Sequence, residues 1–273
     1  MKAPSLNKRK IKKRKLHKGA APLSMLTAYD FQTAQLLDQT ELDMILVGDS
    51  VGNVVLGYDT TVEVTLNDMI TFGAAVKRGA PSKFTVIDLP FGSYATIDKG
   101  LESAIEIFQK TKAEAVKLEG ASPIFLELIT RLTEVGIPVM GHIGLTPQSV
   151  HQQGGYYVHG KTNASEARIY KEAMELEKAG CFAIVLEFVE ETLAQRISEN
   201  LKIPTVGIGS GQKTDGQVLV INDLLKLGPN QPPSFCKPMA DLFEVKKEVL
   251  NKYLARFKNE ENSNNDESNE SLH

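Results

Sequence analysis

Residues 115–120 read AVKLEG, and the alternation inside that hexapeptide decides the fold. Successive side chains of a strand point to opposite faces. Val116 and Leu118 therefore share one face, and Lys117 and Glu119 share the other. If the apolar pair meets a layer of helices, the charged pair points into the interior of a sheet closed on itself. An uncompensated buried charge is costly, so that interior must supply partners, a metal or a substrate.

Working outward, short apolar runs recur at Leu23–Thr27, Met44–Val47, Phe84–Ile87, Ile137–Met140, Ala183–Leu186 and Pro204–Ile208. Their length and β-branched content suit buried parallel strands. Segments of helical period lie between most of them: Leu101, Ala104, Ile105 and Phe108, then Phe125, Leu126, Ile129 and Leu132. Ser122-Pro123 reads as a cap followed by the first helical residue. Thr65 with Asp68, and Asn163 with Glu166, resemble capping boxes. Gly79, Gly136 and Gly180 stand where left-handed helix ends are expected. An eighth strand is expected at Val218–Ile221, although VLVINDLL also suits the start of a helix. Strand and helix alternating this often predict an α/β fold, a (β/α)8 TIM barrel of parallel strands. The competing doubly wound sheet usually carries G-x-G-x-x-G after its first strand, and nothing of that kind follows Thr27.

Five successive runs end in a titratable group: Asp49-Ser50 after Met44–Val47, Asp88 after Phe84–Ile87, Lys117 and Glu119, His142 after Ile137–Met140, and Glu187 after Ala183–Leu186. Taken singly, each has a plainer explanation. An Asp at a strand end commonly caps the next helix, Lys117 and Glu119 can neutralise each other, and a lone His is commonly held by backbone. In a parallel barrel all these ends lie on one face, where the active site of the fold is built. Asp49, Asp88 and Glu119 together form an acidic pocket that a cation would relieve. Oxygen ligands without cysteine favour Mg²⁺. Lys117 adds a positive charge for a substrate oxygen, and Glu187 is a candidate general base. Gly207-Ile-Gly-Ser-Gly211 reads either as an anion cradle or as a tight turn.

The ends of the chain differ from this body. Residues 1–18 carry nine Lys/Arg and no acid, and residues 259–273 carry five acids and no base. Removing them from totals of 31 basic and 34 acidic groups leaves 22 against 29, a poor surface for nucleic acid. The expected organisation is a basic arm over residues 1–22, a barrel over 23–258 and a disordered acidic tail over 259–273. No apolar segment follows the basic start, and the uncharged stretch 135–160 is too rich in His, Gln and Gly to span a bilayer. Cys181 and Cys236 show no metal-finger spacing and cannot make a disulfide scaffold, so a reducing, cytoplasmic setting is expected.

The chain resembles the ketopantoate hydroxymethyltransferase family, also called 3-methyl-2-oxobutanoate hydroxymethyltransferase. The resemblance rests on MLTAYD (25–30), GDSVGNVVLGYDTT (48–61), DLPFGSY (88–94), AVKLEG (115–120), PVMGHIGLTPQSVHQQGGY (138–156), AIVLEFV (183–189), IPTVGIGSG (203–211) and DGQVLV (215–220). It implies a barrel of the phosphoenolpyruvate mutase/isocitrate lyase kind. It also implies transfer of a hydroxymethyl group from 5,10-methylenetetrahydrofolate to 3-methyl-2-oxobutanoate through a Mg²⁺-stabilised enolate, in pantothenate biosynthesis. Asp49 and Asp88 are then metal ligands, with Glu119 completing the shell through water. Asp49, Ser50, Asp88, Lys117 and His142 contact or line the oxo-acid pocket, and Glu187 accepts the proton. A homo-oligomer is implied, with no nucleic-acid or membrane partner. After Leu227 the chain reads GPNQPPSFCKPMADLF and departs from the family pattern. Two other readings compete: a C–C lyase or mutase of the phosphoenolpyruvate mutase group, and a polyanion-binding protein acting through the basic arm.

Overall fold

A computed structural model of the chain describes residues 11, 21–149, 154–155 and 157–270, with side chains through 258. Apart from Ile11, residues 1–20 of the basic arm lie outside the described residues, as do residues 150–153 and 156 of the stretch at 138–156.

Eight parallel strands close into a barrel in chain order: β1 Leu23–Thr27, β2 Met44–Val47, β3 Phe84–Asp88, β4 Ala115–Glu119, β5 Val139–Gly144, β6 Ala183–Glu187, β7 Thr205–Ile208 and β8 Gly216–Leu219. Closure is made by β1 on β8, with Leu23 opposite Gly216. Every strand thus has two neighbours, and the open doubly wound alternative is excluded. Two boundaries differ from expectation. β5 begins later and runs on through His142 to Gly144, because β4 and β6 both pair with it there. VLVINDLL is divided: the strand ends at Leu219 and a helix begins at Ile221.

Six helices follow the strands: α1 Phe31–Asp38, α2 Leu66–Gly79, α3 Ile97–Thr111, α4 Pro123–Glu134, α5 Asn163–Ala179 and α6 Glu191–Asn200. Ser122 caps α4 with Pro123 in its first turn, and Thr65 and Asp68 form a reciprocal capping box on α2. On α5 the cap is Thr162, one residue before the expected Asn163, and its hydroxyl accepts from Ser165 N. Gly136 and Gly180 adopt the left-handed conformation, whereas Gly79 does not. A Cβ on Gly79 would stand 2.4 Å from Phe31 O, so close packing of α2 against α1 requires the glycine. The inward face of α3 also departs from the apolar spacing: Gly100, Ala104 and Ile107 are buried, while Ile105 is exposed. Gly100 lies against Leu128 of α4, where a Cβ would meet a methyl group at 2.4 Å.

One end of the barrel is filled by Leu23, Met25, Met44, Leu46, Phe84, Val86, Ala115, Met140, Phe182, Ala183, Val185, Val206 and Val218. Phe84 and Phe182 meet edge to face at 5.6 Å. Ile11, flanked by lysines in sequence, belongs to this cluster and is fully buried. The segment expected to be a solvated arm therefore contributes an anchor to the core.

The compact unit containing the barrel ends at Val220, short of the expected residue 258. Residues 221–273 form a second unit, with α7 Ile221–Leu224 and α8 Leu242–Glu270. Within it Lys226 is ion-paired with Asp241, and Phe243 N donates to Lys226 O at 2.9 Å, which brings the two ends of the divergent segment together. Helical backbone continues to Glu270.

Candidate active site

Strand alternation delivers the site. On β3 the inward series is Phe84, Val86, Asp88; on β4 Ala115, Lys117, Glu119; on β6 Ala183, Val185, Glu187. Register then sets neighbours side by side, with Asp88 opposite Lys117 and Glu119 opposite His142. Asp49 lies two residues beyond β2, and its backbone N donates to Asp88 Oδ2 at 3.2 Å.

Every predicted site residue falls in this one region. Lys117 Nζ is 3.0 Å from Asp88 Oδ2 and 3.3 Å from His142 Nδ1. His142 Nδ1 is also 3.3 Å from Glu119 Oε1, and His142 Nε2 is 3.2 Å from Glu187 Oε2. The second pair is at ion-pair distance but outside hydrogen-bond alignment. Asp49, Asp88, Lys117, Glu119 and His142 are buried, whereas Glu187 keeps 17% of its side chain exposed. Ser50 hydrogen-bonds Tyr29 at 2.7 Å.

The charge balance of the cluster is acidic. Burial, with the charges of Glu119 and Asp88, raises the Asp49 carboxyl well above its ordinary range. Burial also raises Asp88 against the pull of Lys117. Glu119 goes the other way, because His142 and Lys117 outweigh its burial. Burial and Lys117 depress the His142 ring, but Glu119 and Glu187 prevail and bring it to about 9. Lys117 is likewise held protonated by Asp88, Glu119 and Asp49 despite its burial.

Two uncharged residues complete the arrangement, and sequence reasoning missed both. Gln148 donates through Nε2 to Asp49 Oδ2 at 2.8 Å and to Leu89 O at 3.0 Å. Its backbone N donates to Glu119 Oε2 at 3.1 Å, and its Oε1 accepts from the Tyr94 hydroxyl. Both residues sit inside quoted motifs, TPQS and FGSY, but neither carries a charge that marks it.

The end of β6 is braced. Gly144 has φ +96, and a Cβ there would stand 2.2 Å from Glu187 O. Phe188, directly after Glu187, takes φ 47, a left-handed conformation costing about 1–2 kcal/mol for a non-glycine residue. Ser210 holds it in place: its hydroxyl donates to Leu186 O at 2.8 Å and accepts from Val189 N at 2.9 Å. The Gly207–Gly211 segment thus acts as the tight turn, with left-handed Gly209 and Gly211, that supports Glu187.

The carboxylates are linked through Lys117 and Gln148 rather than gathered on one point. Among the described residues no three His, Cys, Asp or Glu side chains are placed to hold a metal ion by themselves. Asp88 Oδ1 is buried and meets no partner. Such an oxygen beside an over-acidic cluster fits a cation whose remaining ligands are water and substrate, as Mg²⁺ prefers.

The family described as ketopantoate hydroxymethyltransferase matches residues 6–264. The 3-methyl-2-oxobutanoate hydroxymethyltransferase of Thermotoga maritima is 50% identical over 249 residues, covering 91% of this chain and 92% of that protein. The enzyme of that name from Leptospira interrogans is 46% identical over 252 residues, covering 92% and 95%. Among solved structures, a phosphonopyruvate hydrolase complex with oxalate and Mg²⁺ superposes with a TM-score of 0.61 at 10% identity, covering 93% of this chain and 88% of that one. 2,3-Dimethylmalate lyase, a PEP mutase/isocitrate lyase superfamily member, gives 0.56 at 14% identity, covering 92% and 96%. Those likenesses concern the fold, and they agree with the barrel type expected from sequence.

Proposed function

Because the chain belongs to the ketopantoate hydroxymethyltransferase family, we propose that it transfers a hydroxymethyl group from 5,10-methylenetetrahydrofolate to 3-methyl-2-oxobutanoate, giving 2-dehydropantoate. The observation that carries this reading is the run Glu119–His142–Glu187 beside an unpartnered Asp88 oxygen at the strand ends. It puts a partly exposed carboxylate next to a cluster short of positive charge.

Asp49 and Asp88 are the residues that would hold Mg²⁺, with Glu119 acting through water. Mg²⁺, when bound, supplies a Lewis acid and a template for the oxygens of a 2-oxo acid. Lys117 and Ser50 orient the substrate's carboxylate and oxo group, and His142 lines the pocket and keeps Glu187 in position. Glu187 takes the proton from C3, the carbon–carbon bond forms to the folate's one-carbon unit, water supplies the hydroxyl oxygen, and tetrahydrofolate leaves. Gln148 holds Asp49 through its Oδ2, fixing the carboxylate that would help hold the cation.

We also place the protein in the cytoplasm and in pantothenate biosynthesis, acting on small molecules. Among the described residues no helix is long and apolar enough to cross a membrane. A homo-oligomer is supported by α8, which exposes Val249, Leu250, Tyr253 and Phe257; sedimentation of a monomer at micromolar concentration would refute it. The central test is deuterium exchange at C3 of 3-methyl-2-oxobutanoate. Exchange is expected with Mg²⁺ and not in chelator, and metal-independent exchange would overturn the reading.

A further inference from the structure

Asp49 and Glu119 come from different strand ends, and one residue holds both. Gln148 Nε2 donates to Asp49 Oδ2 at 2.8 Å, and Gln148 N donates to Glu119 Oε2 at 3.1 Å. Gln148 is buried on the single helical turn Pro147–Ser149, in the connection after β5. One turn places its backbone but leaves the side-chain amide free to turn over. An amide turned over would set Oε1 against the Asp49 carboxylate and the Leu89 carbonyl, with no donor to meet either. Whatever fixes the direction of this amide therefore fixes the grip on Asp49.

Tyr94 supplies that direction. Its hydroxyl donates to Gln148 Oε1, while Leu89 O, which can only accept, takes a bond from Nε2 at 3.0 Å. A donor on one side and a carbonyl on the other leave the amide one orientation. The hydroxyl oxygen of Tyr94 also accepts from Glu119 N at 3.4 Å. Glu119, Tyr94 and Gln148 thus close a ring of hydrogen bonds: Glu119 N to Tyr94, Tyr94 to Gln148 Oε1, and Gln148 N to Glu119 Oε2. Asp49 is attached to that ring through Nε2.

Tyr94 is itself braced. Its buried ring meets Phe125 of α4 edge to face, with centroids 5.2 Å apart and planes 64° apart. Gly120, at φ +95, turns the end of β4 past the same ring, and a Cβ there would stand 3.2 Å from Phe125. Ser93 ties the loop before Tyr94: its hydroxyl donates to Pro90 O at 2.7 Å, and its carbonyl accepts from Ser103 Oγ of α3 at 2.8 Å. Leu89 N donates to Lys117 O at 2.8 Å. The hydroxyl is therefore delivered by a loop fixed to β4, α3 and α4, the kind of support that holds ligand side chains in place. We propose that Tyr94 is a positioning residue for the cation site, fixing the Gln148 amide so that Asp49 and Glu119 stand at a set separation before the cation and the oxo acid arrive. This rests on the hydroxymethyl-transfer reading and deepens it.

The test uses the full chain with Mn²⁺ alone as the probe, titrated by electron paramagnetic resonance into wild type, Tyr94→Phe, Gln148→Met and the double variant. Tyr94→Phe keeps the ring against Phe125 and removes only the hydroxyl. It is expected to weaken Mn²⁺ about tenfold. The double variant is expected to bind about as Gln148→Met does, because both changes break the same link. C3 exchange of the oxo acid is measured across Mg²⁺ concentrations, and the deficit of Tyr94→Phe is expected to shrink as Mg²⁺ rises. Metal-free thermal unfolding is followed in parallel. Unchanged Mn²⁺ affinity in Tyr94→Phe overturns the proposal, with or without a loss of stability. So do losses that multiply in the double variant, or an exchange deficit independent of Mg²⁺. Absence of exchange in wild type refutes hydroxymethyl transfer instead, while the Mn²⁺ titrations still read Tyr94.

Discussion

Phe84 and Asp88 stand four residues apart on the same face of β3, in opposite surroundings. Phe84 lies in an apolar plug with Met25, Met140 and Phe182. Asp88 lies in a buried cluster with Lys117, His142, Glu119 and Asp49. The change recurs from Ala115 to Glu119 on β4 and from Ala183 to Glu187 on β6. Both ends are largely buried, with only Glu187 of the cluster partly exposed, so what differs is the work each end can do. The apolar end gains from burial and holds the strands together. The charged end gives up part of that gain to keep ionised groups out of water, where their fields act strongly. Stability and chemistry are thus separated along the barrel axis.

Substitutions at the two ends test that separation. Glu187→Gln is expected to slow C3 exchange by about 10³-fold while leaving oxo-acid binding intact, the scale of a lost general base. Persistent exchange would move the base to another residue. Phe84→Ala is expected to destabilise the fold by about 3–5 kcal/mol in denaturant unfolding, with kcat retained in the protein that remains folded; a kcat loss as large as that of Glu187→Gln would erase the distinction between the ends. Asp88→Ala removes the carboxylate that carries the unpartnered oxygen, so Mn²⁺ affinity read by electron paramagnetic resonance is expected to fall at least about 100-fold. Gln148→Met keeps the volume but loses the amide, and a fall of about tenfold in Mn²⁺ affinity is expected. Tighter binding in Gln148→Met would mean that the amide competes with the cation instead of positioning Asp49.

Much of the site was legible because strand period and charge sufficed. Lys117 and Glu119 alternate with Val116 and Leu118, and only one face of a closed sheet accepts them. What escaped had no such mark. Gln148 and Tyr94 are neutral, and they matter because the connection after β5 and the loop after β3 bring them together against Asp49 and Glu119. Ile11 escaped for the opposite reason: its neighbours are lysines, and composition assigned the whole arm to solvent. The inward face of α3 was misplaced because Gly100 faces Leu128 across a contact that admits no side chain, which apolar spacing does not represent.

Local rules acting within a few residues were enough for the strands, most caps and the inward series of charged groups, because alternation and capping depend on neighbours along the chain. Register between strands, the bridge from His159 to Val189 and the amide link from Gln148 to Asp49 join residues distant in sequence. Those contacts exist only after the barrel closes, since closure sets which strand ends meet and which polar atoms are left without water.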